Sequence, residues 1–519
     1  MENKTDIMNI PADQFVIADK EGYIHDVKLE TKPVGYFRDA FRRFKKNKSS
    51  VVAAIIIIIL VLFAIIGPFL VHGNYHDAYV SSTALVNYKY LIPKVSFLEG
   101  TGIWDGTKTE EISDNKYNMY RAMEIELGYP AMTDILSERV QKDVFGKETK
   151  LYKVRTDSYH SQTIITMTLT SQMYQDILKW QDETGLQVIL PRSNSQGYDL
   201  NPSCWFVADK KGNAKLDANG NFVPDYFTTG EDDYTSSVRL DSDPGKTDPN
   251  AANRYRYAQR TGTAETGYNY VVRLHPFNYF QYMFGFEPCF IFGTDGSGYD
   301  IFDRLSNGAR FSFLLAIVVS AINLTIGAIY GAIEGYYGGA VDMIMERISD
   351  ILSGVPFTVV TVLFSLHLSS KVGIVPSLLF AFVMTGWIGM ASNVRMQFYR
   401  FKNQEYVLSA RTLGASDLRI MFKHIFPNSL GTIITSCVLV IPGVIFSETS
   451  LTYLGIVNLG SARLSSIGSM LSAGQGCMTT APHVILFPAV FIALLEISFN
   501  LFGNGLRDAF NPSLRGSED

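Results

Sequence analysis

The chain is short of charge. Asp, Glu, Lys and Arg make up 18% of its 519 residues, and they balance to −5. Nothing here forms the basic footprint that a nucleic-acid partner requires. Cysteine is also scarce: Cys204, Cys289, Cys437 and Cys477 are the only four, and they show no metal-ligand spacing. Cys204 and Cys289 fall in one region and form either a disulfide or two free thiols. The eight His are scattered, and His367, inside an apolar run, reads as a packed or hydrogen-bonded side chain. The phosphate-cradling pattern G-x-x-x-x-G-K-[ST] is missing. Gly245-Lys246-Thr247 has Leu240 where the first Gly belongs, and no apolar strand precedes it. H-E-x-x-H and G-x-S-x-G are missing too. The sequence therefore reads as a non-enzyme with no cofactor and no metal of its own, and any uphill work must draw on energy from elsewhere.

What the sequence has in quantity is apolar length. Residues 51–71 form an almost unbroken aliphatic run without charge. About twenty residues of helix rise about 30 Å, the thickness of the hydrocarbon core. About fifty residues precede this run and no small-residue cleavage site follows it, so it reads as an uncleaved spanning helix. Further runs cover 311–333, 351–368, 376–394, 430–454 and 484–502, which makes six spans. Asn323, Gly327, Gly331, Ser365, Ser392 and Ser436 lie in these runs. Small and weakly polar residues let membrane helices approach closely, so a bundle is expected rather than separate anchors.

Lys and Arg set the orientation. They crowd ahead of the first run (Arg38, Arg42, Arg43, Lys45, Lys46, Lys48) and after the fourth (Arg395, Arg400, Lys402, Arg411, Arg419, Lys423). Arg507 and Arg515 follow the last run, whereas the opposite short loops hold little more than Lys371 and Arg463. Both termini and the loop after the fourth run are therefore expected in the cytoplasm. The expected map is a cytoplasmic tail (1–48, with a basic amphipathic helix over 36–48), a first span (49–72) and an extracytoplasmic insertion (73–290). An outer interfacial segment (291–310), a core of five spans (311–506) and a cytoplasmic end (507–519) follow.

The insertion differs in composition, being rich in Tyr, Asp, Asn, Gly and Thr. Strand alternation marks 162–169, 186–190 and 270–274. Helical periodicity marks 130–144 and 173–184, and 208–248 is rich in turn residues. An α+β domain with its own core is expected. Asp217, Asn219 and Asn221 have the alternation of calcium ligands, but Phe222 stands where an EF-hand loop needs Gly, so a pair of β-turns is the expected reading.

The most informative stretch is 405–428, EYVLSARTLGASDLRIMFKHIFPN. Tyr406, Leu413, Leu418, Met421, Phe422 and Ile425 recur at helical spacing on either side of Gly414. A Gly inside a helix costs about 1 kcal/mol against Ala, so it often marks a turn. Two short helices hinged at Gly414 are expected, either docking on a partner protein or lying on lipid. The stretch resembles the EAA loop of ABC importer permeases, E-A-A-x3-G-x9-I-x-L-P. Gly414 and Pro427 stand at the family's separation, with Leu408-Ser409-Ala410 in place of E-A-A, His424 for Ile and Phe426 for Leu. The form Arg-x-Leu-Gly-Ala-Ser-Asp-Leu-Arg-Ile is similar to the peptide/nickel branch.

Other stretches resemble the same branch. They are Phe292-Gly293-Thr294-Asp295 through Asp300, Arg304-Leu305 and Gly308-Ala309-Arg310; Gly335-Tyr336-Tyr337-Gly338-Gly339 with Asp342, Arg347, Asp350 and Pro356; Glu448-Thr449-Ser450-Leu451-Thr452-Tyr453-Leu454-Gly455 with Gly468-Ser469-Met470-Leu471; and Asn500-Leu501-Phe502-Gly503-Asn504-Gly505-Leu506-Arg507-Asp508. Ser297, Tyr299 and Asn504 depart from the pattern. The likeness is to the C-type permease of oligopeptide/dipeptide importers, and it says little about the insertion.

The resemblance implies a type I importer permease: an all-α polytopic bundle of six helices supplying half of a peptide pathway in a bacterial cell membrane. It implies a second, homologous permease, one or two cytoplasmic ATPases that use ATP, and an extracytoplasmic substrate-binding protein. Glu405, Ala410, Arg411, Gly414, Ala415, Ser416, Asp417, Arg419 and Pro427 are then the residues that couple to the ATPase. An ionised carboxylate at mid-bilayer costs about 2.5–3.5 kcal/mol and usually faces a bundle interior or wet cavity. Glu448, with Ser447 and Asn393, is accordingly expected on the pathway, whereas Glu496 is expected to bond a neighbouring helix. The alternatives are a nickel-chelate permease, an ion-driven secondary transporter, and a receptor. A secondary transporter should show buried charges in several helices and an internal repeat. A receptor needs an output domain for which the inner segments leave no room.

Overall fold

The computed structural model describes residues 36–71, 83–142, 148–193, 205–208, 214–228, 236–460 and 464–510. Cys204, and with it the expected choice between disulfide and thiol, lies outside the described residues. Tyr36–Lys46 is the expected amphipathic helix, and it packs Ala40 and Phe44 against Ala509 at the far end of the chain. Asn47 then caps Lys48–Leu70, its side chain accepting from the Ser50 amide at 3.3 Å.

Four more helices among the described residues are long and apolar enough to cross a membrane: Ile301–Tyr337, Ile374–Phe401, the continuous stretch Asp417–Tyr453, and His483–Phe510. That makes five spans, or six if Gly339–Ser353 and Phe357–His367, bent by 69°, count as one. The sequence suggested one straight run over 351–368. Pro356 breaks it, because proline disfavours helical backbone in the residue before it. His367 is exposed at the end of the second piece rather than packed. The second half of the segment expected to be interfacial, 291–310, is helical. Asp300 caps a helix that begins at Ile301, accepting from the Phe302 amide at 2.8 Å, so 301–310 are the first turns of a 37-residue helix.

Glycine sets the closest packing. Ile301–Tyr337 and Ile374–Phe401 lie backbone to backbone, and a Cβ on Gly331 would stand 2.1 Å from the Ala391 carbonyl oxygen. Gly327 and Gly335, one turn to either side, meet the same helix in the same way.

The insertion is α+β, as expected. In its first sheet β1 (Thr107–Ser113) and β2 (Met132–Lys142) pair antiparallel with β3 (Glu148–Asp157), in the order β1-β3-β2. Helix Asp114–Leu127 covers it, ending at Gly128 in the left-handed conformation. The second sheet has the order β4 (Ile165–Thr170), β7 (Gly267–Leu274), β5 (Ile189–Leu190), with β6 (Ala258–Thr263) also on β7. Helix Ser171–Thr184 packs Tyr174 and Ile177 onto Leu169 and Val272. The helical reading of 130–144 is overturned: Met132–Lys142 is β2. Ile135, Leu136 and Val140 give it helical spacing, but all three are exposed, and pairing with β3 decides the conformation. Around Asp217 there is the expected turn, its carboxylate accepting from the amides of Asn219 and Asn221 at 2.8 Å.

One buried ion pair ties the two sheets. Arg273 of β7 donates to both oxygens of Glu126 on the helix over the first sheet, at 2.8 and 3.1 Å, and Tyr226 donates to Glu126 at 2.9 Å. Burial pushes the Glu126 carboxyl up and the guanidinium opposes the rise. Breaking such a pair strands a charge, at a cost of about 3–5 kcal/mol, whereas replacing both partners is near neutral. Arg273→Met should therefore make the insertion protease-sensitive, and adding Glu126→Leu should restore resistance. Equal resistance of wild type and single variant would contradict this account.

Candidate functional site

Glu405–Thr412 is a helix that stops at Gly414, where the backbone turns left-handed (φ +82). A Cβ there would meet no atom within 4 Å, so the glycine is required by conformation and not by space. The Gly414 amide donates to the Arg411 carbonyl at 3.0 Å and the Ala415 amide to that of Ala410 at 3.1 Å, closing the first leg. The second leg starts at Asp417–Arg419 and widens into a π-helical turn over Ile420–Ile425. It then runs into Phe426–Tyr453, with Pro427 in the first turn. Proline removes one backbone donor from this continuous stretch, and it does so directly after the wider π-helical turn. The turn at Gly414 is where the sequence reading put it, but only the first leg is a short helix: the second is the start of the 37-residue stretch Asp417–Tyr453.

The segment has two faces. Val407, Ile420, Met421 and Ile425 are buried against Tyr336, Met390, Val394 and Phe398 on the two glycine-packed helices, and Ala410 is buried too. On the other face Leu413 is 88% and Leu418 66% exposed, beside Tyr406, Leu408 and Phe422. Glu405, Arg411, Ser416, Asp417, Arg419 and Lys423 are exposed around them. Apolar anchors ringed by charge are the composition of a protein-binding surface.

Tyr336 holds the hinge. Its hydroxyl donates to Asp417 Oδ1 at 2.7 Å and accepts from Arg411 at 3.3 Å, and the Arg411 guanidinium lies 5.7 Å from the ring centre. Next to it, Arg395 is gripped by Asp342 (Nε to Oδ1, 2.6 Å) and Glu346 (2.6 and 2.8 Å), with Glu334 at 3.7 Å. Lys402 donates to the Gly335 carbonyl at 2.9 Å. The three carboxylates lie close enough together to hold a cation, and the guanidinium among them supplies that charge. Sequence reasoning used Tyr336 and Asp342 as motif letters and Arg395 for topology only. Their partners are 49 to 81 residues away, and no local spacing reveals them.

The three pathway candidates separate. Ser447 lines a cavity of about 350 Å³ with Asn323, Phe357, Phe382, Thr385 and Gly386. Asn393 is half-buried and does not line it. Glu448 is fully buried: Ser312 donates to its Oε2 at 2.8 Å and Thr452 to its Oε1 at 3.2 Å, so it ties Phe426–Tyr453 to Ile301–Tyr337. Sequence reasoning left Asn323 out of the site, although its Oδ1 is buried without a hydrogen-bond partner among the described residues. The expectation for Glu496 is not met: its Oε1 makes no hydrogen bond there either.

Residues 323–516 match the family described as binding-protein-dependent transport system inner membrane component. The fold is thus that of an ABC importer permease, a helical membrane protein. Residues 35–89 match the N-terminal transmembrane domain of oligopeptide transport permease C. The Bacillus subtilis oligopeptide transport system permease protein OppC is 45% identical over 225 residues, which are 43% of this chain and 72% of that protein. The Bacillus subtilis dipeptide permease DppC is 40% identical over 226 residues, 43% of this chain and 69% of that protein. The Escherichia coli K12 OppC is 36% identical over 225 residues, 43% and 72% of the two chains. The chain belongs to the C-type permease family of oligopeptide and dipeptide ABC transport systems. Residues 90–322, which include nearly all of the insertion, lie outside both matches.

Tyr336→Phe deletes the donor to Asp417, a net loss of about 1 kcal/mol. Amide hydrogen exchange over 411–420 should accelerate while that of Ile374–Phe401 holds. Unchanged protection at the hinge would show that Tyr336 does not hold it.

Proposed function

We propose that this chain is one of two permease halves of an ATP-driven importer of peptides. The observation that carries the proposal is the two-faced 405–425 segment, apolar and basic outward and tied inward to the bundle. An ATPase seated on Leu413 and Leu418 would push through Tyr336 and the buried cluster onto the glycine-packed helices. Glu405, Ala410, Arg411, Gly414, Ala415, Ser416, Asp417, Arg419 and Pro427 form or support the coupling surface. The pathway runs past Ser447 in the cavity, with Asn393 on the same helix as Gly386 and with Glu448 fixing the wall. ATP is bound by partner ATPases and not by this chain.

The bent pair counts as one span, giving six. Lys and Arg at the helix ends support cytoplasmic tails (1–48 and 507–519) and a cytoplasmic coupling segment, with the 73–290 insertion outside. Six helices build half of a pathway, so a second permease supplies the rest, and a binding protein on the outer side delivers cargo. Peptide cargo is supported by the relatives, which are permeases of oligopeptide and dipeptide systems.

Leu413→Asp tests this. Truncating an anchor at the centre of an interface commonly costs more than 1 kcal/mol. ATPase co-purification should therefore drop about tenfold, and peptide uptake with it, while the chain still inserts. Full co-purification of the ATPase with the variant would overturn the coupling surface.

A further inference from the structure

The insertion carries a feature unrelated to the coupling segment. Between Lys94 and Asp105 the chain forms a narrow loop, closed by the Val95 amide donating to the Trp104 carbonyl at 2.8 Å. Its tip is apolar and uncovered: Phe97 is 83% and Ile103 70% exposed. The only charge on the tip, Glu99, is paired with Lys94 at 2.6 Å. Trp104 is held at φ +52, a conformation that bulky side chains avoid. Asp105 fixes it there, accepting from the Gly102 amide at 2.8 Å and from Thr107. Strain kept in place by a dedicated buried carboxylate points to use of the aimed side chain.

The position of the loop says what covers it. Trp104 stacks on Phe487 (6.2 Å between ring centres, 15° between planes), in the second turn of the apolar helix His483–Phe510. Ser96 touches Cys289, which lines a crevice with Leu70, the last residue of the first apolar helix, and Ile291. The loop therefore sits where two membrane-length helices end. That level in a bilayer is the boundary of headgroups and acyl chains, where tryptophan concentrates. A neutral loop with an exposed Phe, Ile and Trp at its tip has the composition of an interfacial anchor.

We propose that residues 95–104 form a membrane-interfacial finger, which seats Phe97, Ile103 and Trp104 in the lipid leaflet on the insertion's own side and so fixes the insertion's tilt over the bundle. The inference rests on the apolar helices crossing a bilayer and not on the cargo or the ATPase.

The test uses the full chain in lipid nanodiscs. Phe97→Trp adds a fluorophore at an open position, and its emission is the difference from wild type. Lipids brominated high on the acyl chain should remove most of this added emission. Lipids brominated near the chain end should remove less, and aqueous acrylamide little. Quenching by acrylamide alone would place the loop in water and overturn the proposal. Shielding from both quenchers in the complex with its transporter partners would also overturn it, in favour of a protein-covered surface. The emission lost in Trp104→Phe, read with the same quenchers, gives a second measurement if the first variant fails to insert.

Discussion

The bundle depends on a contact that only glycine permits. Gly327, Gly331 and Gly335 let Ile301–Tyr337 lie directly on the backbone of Ile374–Phe401. In lipid there is no hydrophobic gain from bringing apolar helices together, so close packing and polar ties must hold them. The same contact fixes the end of each helix. Tyr336 follows Gly335, and Arg395 sits opposite it, with its backbone oxygen 2.8 Å from where a Gly335 Cβ would be. The hydroxyl that holds the hinge and the guanidinium that gathers Asp342, Glu334 and Glu346 are thus placed by one helix seam.

From that seam the mechanical logic runs outward. The 405–425 segment buries one face on both helices and bonds to Tyr336 through residues on either side of Gly414, so neither leg moves alone. A left-handed glycine with open space around it gives a sharp turn without a packed side chain, and leaves Leu413 projecting. At the other end of the bundle the loop before Ile301 is tied to the insertion. Thr294 accepts from the Leu91 amide at 2.9 Å, and its carbonyl meets the His483 ring at 3.2 Å. The insertion is thereby fastened to the starts of two membrane helices.

Much of this was legible in the sequence, for identifiable reasons. Charge-free runs of about twenty residues have few alternatives to spanning, so the long helices stood out. Gly414 stood out because a glycine amid helical spacing is a cost that needs a reason, whereas Pro427, which suggests a stop, lies inside the continuous stretch Asp417–Tyr453. The bend at Pro356 was missed because the apolar run continues across it. Strand β2 was read as helix because its apolar residues fall at helical spacing while its partner strand is invisible to a local window. Glu448 was legible as a carboxylate in an apolar run, but the Ser312 hydroxyl that donates to it lies 136 residues away and was not. The Tyr336 and Arg395 contacts join separate helices, and only the fold brings them together.

The central claim is that the 405–425 segment and the Ile301–Tyr337 helix move as one body. The most direct measurement is the distance between spin labels at Leu418 and Tyr337, both exposed, in the assembled transporter with and without trapped nucleotide. The account predicts that this distance stays fixed while the distance from either label to the proposed second permease changes. A shift of Leu418 relative to Tyr337 as nucleotide binds would contradict it.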